Sequence, residues 1–378
     1  MSFPTPRITL HTPADLLAAV PYLLGFHPAA SVVVVGLAGT RVVFTARADL
    51  PPPDAPPDRA LALADQLGDV LAVQRVDVAL VIGYGEGPSV TRTVLPLRDA
   101  LHRYGLRVAE ILRAHQGRYW SYLCESVRCC PAEGTPYDIA ATEVAAAATY
   151  SGQVALPDRA ALEQLLAPVE GAERDAVDAA TERAARDLAV SVGEQDVAPE
   201  EGGVGDEQGR PAGGAETDPD GVGADAGPGG SRRRAGVRAL AVAVRRYADG
   251  GRLTDDEVAR LTLLLVRVEV RDLCWARVTA AGSRLRAHLD LWRDVTRRAR
   301  ADLVPAPATL LGYAAWRSGN GALALVAVQR ALAANPAYQL ALLLAEALDR
   351  GLPPSVFDDE QPVPRRHRRH RGRPAPTG

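Results

Sequence analysis

The chain has 378 residues, 47% of them hydrophobic and 24% charged, with a formal net charge of −3. That length allows two domains with sizeable cores, and the near-neutral balance gives no global argument for a nucleic-acid or membrane-surface partner. Every basic residue apart from histidine is arginine, and four cysteines at this spacing do not make a secreted disulfide framework.

The start, MSFPTPRITLHTPADLL, lacks the charged and then apolar regions of a signal peptide. No apolar run reaches the roughly 18–20 residues of a membrane span, so a soluble cytoplasmic protein is expected. Arg7–Leu10 reads as a short strand. Thr12 caps a helix with Pro13 at its first position, and Gly25 ends it. The β-branched run Ser31–Leu37 reads as a strand buried on both faces, with Thr40–Leu50 as its hairpin partner across an Ala38-Gly39 turn. A helix follows over residues 58–72, a buried strand over Val76–Tyr84, and a helix over about Ser89–Tyr104. Residues 106–115 and 117–124 then form a second hairpin. Strands separated by helices predict an α/β layer structure, and the hairpins predict a mixed sheet with flanking helices.

From Thr142 onward helices dominate. Residues 191–231 are rich in Gly, Pro and acid with almost no large apolar side chain, the composition of a disordered acidic linker. Beyond it a C-terminal all-helical domain is expected. It has a capping box at Thr254 and Glu257, and an apolar stripe at Leu285, Leu289, Trp292 and Val295. Two helices broken at Gly319-Asn320-Gly321, with a third after Pro336, read as a tetratricopeptide-like helical hairpin. The expected organisation is therefore an N-terminal α/β domain (1–190), the linker (191–231), a helical domain (232–356) and a disordered basic tail (357–378). The two folded parts are expected to separate on proteolysis within the linker. The tail, RRHRRHRGR, suits weak, sequence-independent polyanion binding rather than specific recognition of nucleic acid.

Three segments could carry chemistry. With a two-residue turn at Gln116-Gly117, alternation places Arg113, His115, Arg118, Trp120 and Tyr122 on one face of the hairpin, and Leu112, Tyr119, Ser121 and Leu123 on the other. Arg113 opposite Trp120 then forms a cation–π pair, and the face suits an anionic, planar ligand. The competing reading is packing, with aromatics covering helices and arginines snorkelling. Cys124, Cys129 and Cys130 supply three local thiols where a structural zinc site wants four ligands, and His115 lies too far along the strand to be the fourth. Buried thiols with no metal and no cofactor are the expectation. Gly83, Gly85 and Gly87 lack the dinucleotide and P-loop patterns, so they read as a loop before a helix, and His27 reads as a turn residue.

The blocks PYLLGFHPAASVVVVGL, ARADLP, GRYWSYLCESVRCCPAEGTP and AWRSGNGALALVAVQRAL…NPAY resemble an actinobacterial family of uncharacterised proteins, domain of unknown function 4192. The resemblance spans most of the chain outside the acidic linker and the tail. It implies no activity, substrate or catalytic residue. With no nucleophile elbow or metalloprotease motif present, the expected function is a non-catalytic interaction or ligand-binding protein with an unknown protein partner or small anionic ligand, and no membrane partner. The alternative is an enzyme acting on an anionic small molecule at the Arg113/Arg118/Trp120 face, with His27 or His115 as acid–base.

Overall fold

The computed structural model describes residues 9–193, 228–279 and 281–357. Helix α1 (Pro13–Leu24) starts in a capping box between Thr12 and Asp15, and ends at Gly25 with φ 84°, a left-handed conformation that glycine adopts without steric cost. Of the strand expected at Arg7–Leu10, Thr9 and Leu10 are not extended into a sheet, and Arg7 and Ile8 lie outside the described residues. Strand β1 (Ser31–Ala38) pairs with β2 (Arg41–Asp49). Their turn sits one residue later than expected, at Gly39-Thr40, because a bulge at Gly36/Leu37 shifts the register and makes Ala38 the partner of Arg41.

Helix α2 (Pro57–Ala72), β3 (Val78–Tyr84), α3 (Gly87–Arg103), β4 (Arg107–His115), β5 (Arg118–Ser121) and β6 (Thr135–Pro136) complete the α/β layer. The sheet order is β2-β1-β3-β4-β5-β6. Only β3 and β4, joined through α3, run parallel; the other neighbours are antiparallel, so the sheet is mixed. β6 has two residues, too few to show a period in the sequence.

Alternation along β1 builds two cores. Val32 and Val34 pack with Val81, Ile111 and the α2–α3 residues Leu67, Leu71, Val94 and Leu97. Val33 and Val35 pack on the opposite face with Ile82, Leu112 and the α1 residues Leu17 and Val20. This second core does not stop at the α/β layer. Through Leu162 and Leu166 it continues to Trp292, Leu311 and Tyr313 in the C-terminal helices.

Those helices are α4 (Glu143–Tyr150), α5 (Arg159–Gln164), α6 (Gly171–Gly193), α7 (Pro228–Ala248), α8 (Asp255–Leu264), α9 (Val268–Thr279), α10 (Leu285–Arg298), α11 (Pro305–Arg317), α12 (Gly321–Ala334) and α13 (Gln339–Asp349). Arg174 on α6 donates to the carbonyls of Arg297, Arg298 and Ala299, so a cation meets the unsatisfied C-terminal end of α10. The acidic linker was expected over 191–231, but α6 runs on to Gly193 and α7 begins at Pro228; the residues between lie outside the described ones. Phe357, expected as the first tail residue, packs edge-on against Trp275, Tyr313 and Trp316. The rest of the expected tail lies outside the described residues.

The buried face of α10 is wider than the expected stripe. Leu285 and Leu289 are only half-buried, while His288, Trp292, Thr296 and Arg298 are buried. Arg298 turns inward to meet Asp294 at 2.9 Å, Asp255, and the Leu253 carbonyl at 2.8 Å, which offsets the cost of burying its charge.

Candidate functional site

The β4–β5 hairpin closes at Gln116-Gly117 with φ of 48° and 70°, the positive values that a type I′ turn requires. His115 pairs with Arg118 and Arg113 with Trp120, and the Tyr122 amide donates to the Ile111 carbonyl at 2.8 Å. Arg113 lies 3.6 Å from the centre of the Trp120 ring. Its guanidinium also passes over Gly87 at the start of α3, where a side chain would collide with it. Tyr122 hydroxyl and Thr91 hydroxyl share a 2.7 Å hydrogen bond. His115 is half-buried beside the turn.

Two polar groups of this face, those of Arg118 and Trp120, are turned to the loop that follows. Arg118 Nη1 donates to the Gly134 carbonyl at 2.7 Å, and Trp120 Nε1 donates to the Ala132 carbonyl at 2.9 Å. Gly134 has φ 82°, and any Cβ there would overlap the Trp120 ring. The face therefore clamps residues 131–134, and those residues follow directly on the cysteines.

The expectation of buried thiols is corrected here: Cys129 is exposed, and Cys124 and Cys130 are only half-buried. Their three sulfurs lie within 4.8 Å of one another, with 3.3 Å between Cys124 and Cys129 and 3.7 Å between Cys129 and Cys130. A single turn brings them together, since the amides of Cys129 and Cys130 both donate to the Ser126 carbonyl. Ser121 Oγ accepts the Cys124 amide at 3.1 Å and donates to Glu110 at 2.8 Å, which fixes the other end of the turn. A backbone hydrogen bond from Ser126, with those of the neighbouring thiols, holds the Cys124 thiol below its ordinary range. Desolvation, then hydrogen bonds with the Cys124 and Cys129 thiols, pushes Cys130 up to about 11. Cys274 stands apart, buried in α9.

His27 is exposed on its turn, with its backbone amide bonded to the Leu156 carbonyl. The glycines expected in one loop are split: Gly83 lies within β3, paired with Val32 and Arg113, Gly85 is in the connection, and Gly87 is the first residue of α3.

Two cavities were not foreseen. One, of about 650 Å³, lies between β2 (residues 42–48), α2 and the α11–α13 hairpin region. The other, of about 1010 Å³, lies between α5, α6 and α12. In the second, Arg330 Nε is buried without a partner, and burial, then the charge of Arg174, lowers the pKa of its guanidinium. Both depend on tertiary contacts between distant segments, so no local pattern announces them.

These features define a mixed α/β protein whose C-terminal helices share a core with one face of its sheet. The chain belongs to the family described as domain of unknown function (DUF4192), whose model matches residues 13–355. No curated protein and no solved structure matches it.

Proposed function

We propose that this protein is a non-catalytic binding protein that seats an extended peptide segment along the free edge of β2. The observation that carries this reading is the position of β2. It ends the sheet order, so the backbone groups on its outer side have no strand partner, and residues 42–48 front the 650 Å³ cavity. Free edges are normally blunted or covered because they template strand addition. Here the cover stands off and leaves a groove. A peptide adding a strand would satisfy those groups and place alternate side chains against α2 and the helical hairpin. We read the α11–α12 hairpin as tetratricopeptide-like, a shape suited to forming a wall for a peptide. The groove is lined mostly by apolar side chains such as Phe44, Leu63, Val70 and Leu325, while Arg47 and Arg159 are paired with Asp49 and Glu163, which favours a segment with alternate apolar side chains. The sparse cysteine content fits a cytoplasmic setting.

Panning a displayed random-peptide library against the full chain should select extended sequences with apolar side chains at alternate positions. Gly321 lines the groove, and a Cβ there would meet nothing within 4 Å. Gly321→Trp should therefore block binding with an unchanged melting temperature. Selected peptides that bind this variant as tightly as the wild type would overturn the reading.

A second reading, an anionic small-molecule ligand, draws on Arg330. Its Nε is buried without a partner at the wall of a roomy cavity, where an anion could accept from it. The Arg113 face supports this reading less, because Arg118 and Trp120 donate to loop carbonyls. Pyrophosphate should raise the melting temperature of the wild type and leave Arg330→Gln unmoved; equal shifts in both would remove this site.

A further inference from the structure

We propose that Cys124, Cys129 and Cys130 form a three-thiolate seat for a zinc ion, with a fourth position open to solvent or to an incoming ligand. The sequence offers three thiols where a closed structural site needs four ligands. The structure changes the question by bringing all three to one point: the sulfurs lie within 4.8 Å of one another. Zinc–sulfur bonds of about 2.3 Å in tetrahedral geometry separate sulfurs by about 3.8 Å. The observed spacings of 3.3 and 3.7 Å both fall slightly short of that value, a gap that small side-chain rotations close.

Packing does not explain the convergence. A free cysteine behaves as a small hydrophobe and goes to the interior, as Cys274 does. These three gather at the surface instead. The backbone fixes them there: the amides of Cys129 and Cys130 both donate to the Ser126 carbonyl, and the Cys124 amide donates to Ser121 Oγ at 3.1 Å.

The surroundings hold the seat in place. Arg118 and Trp120 clamp the loop after Cys130 by its carbonyls, Thr135 hydroxyl donates to the Cys129 carbonyl at 3.3 Å, and Ser121 fixes the Cys124 end. On this account Arg118 and Trp120 are positioning residues for the thiols. Soft thiolates select zinc or copper(I) among the common ions, and zinc needs no redox partner. Binding releases three thiol protons, forms three zinc–sulfur bonds and leaves one position for water. Among the described residues no histidine, aspartate or glutamate joins the cysteines in the cluster, so the fourth ligand comes from outside it.

The test uses the full chain, purified under reducing conditions without chelator and analysed for metals, then titrated with cadmium as a spectroscopic stand-in for zinc. One equivalent of zinc per chain and a cadmium–thiolate charge-transfer band are expected. Cys129→Ser and Cys130→Ser should each weaken binding by more than about 100-fold, beyond the 10–100-fold typical of a supporting residue. Cys274→Ser should keep the stoichiometry. Far less than one equivalent with no cadmium band, copper in place of zinc, or a Cys124–Cys129 disulfide that excludes metal would each overturn the proposal.

Discussion

Arg298→Met should destabilise the protein by about 3–5 kcal/mol, the cost of removing one partner from a buried ion pair. Arg298 is 3% exposed, and its guanidinium holds Asp294, Asp255 and the Leu253 carbonyl together, joining α10 to the start of α8. Burial alone would raise the Asp294 carboxyl. Hydrogen bonds from Arg252 and Tyr247, together with the charge of Arg298, instead hold it below its ordinary value. Methionine fills the volume but leaves Asp294 a charge in the interior with less to meet it. Chemical denaturation of the two proteins gives the difference. A loss under about 1 kcal/mol, the range of surface pairs, would mean that this interior network contributes little.

Acid should destabilise the protein before its carboxylates titrate, because of His288. Burial in α10 lowers its pKa to about 4 from the ordinary 6.5. Near neutrality both states hold a neutral imidazole and its burial costs nothing in protonation. As the pH falls below 6.5, the unfolded chain takes up a proton that the folded protein refuses. Stability is then lost as the pH falls from 6.5 towards 4, at up to about 1.4 kcal/mol per unit and about 3 kcal/mol in all. Asp294 and Glu257, whose pKa values are lowered, withdraw their own contribution only below the ordinary carboxylate range, so the two effects separate. Denaturation midpoints between pH 7 and 4.5 should fall in the wild type and stay nearly flat in His288→Leu. Parallel slopes would assign the acid loss to other groups.

Much of the fold was legible because local chemistry sets it. Thr12, Pro13 and Gly25 fix both ends of α1, and Gln116-Gly117 fixes the hairpin and hence the Arg113–Trp120 stack. What escaped depends on distant partners. Arg298 reads as a solvated helix residue until Asp255, 43 positions away, is seen to meet it. Leu285 and Leu289 give way to His288 and Thr296 on the buried face for the same reason: the helix is rotated by what packs on it. The cysteines could be counted in the sequence, but their convergence depends on the turn at Ser126 and on the clamp from Arg118 and Trp120. The groove beside β2 had no local signal at all, because its far wall is built from residues some 270 positions later.

Hydrogen exchange on the full chain, with and without a peptide selected by panning, tests the binding account most directly. The outward-facing amides of β2 should exchange readily in the free protein and become protected on binding, with Val42–Ala48 showing the largest change on the molecule. Tight binding that leaves those amides exchanging as before, with protection elsewhere, would contradict it.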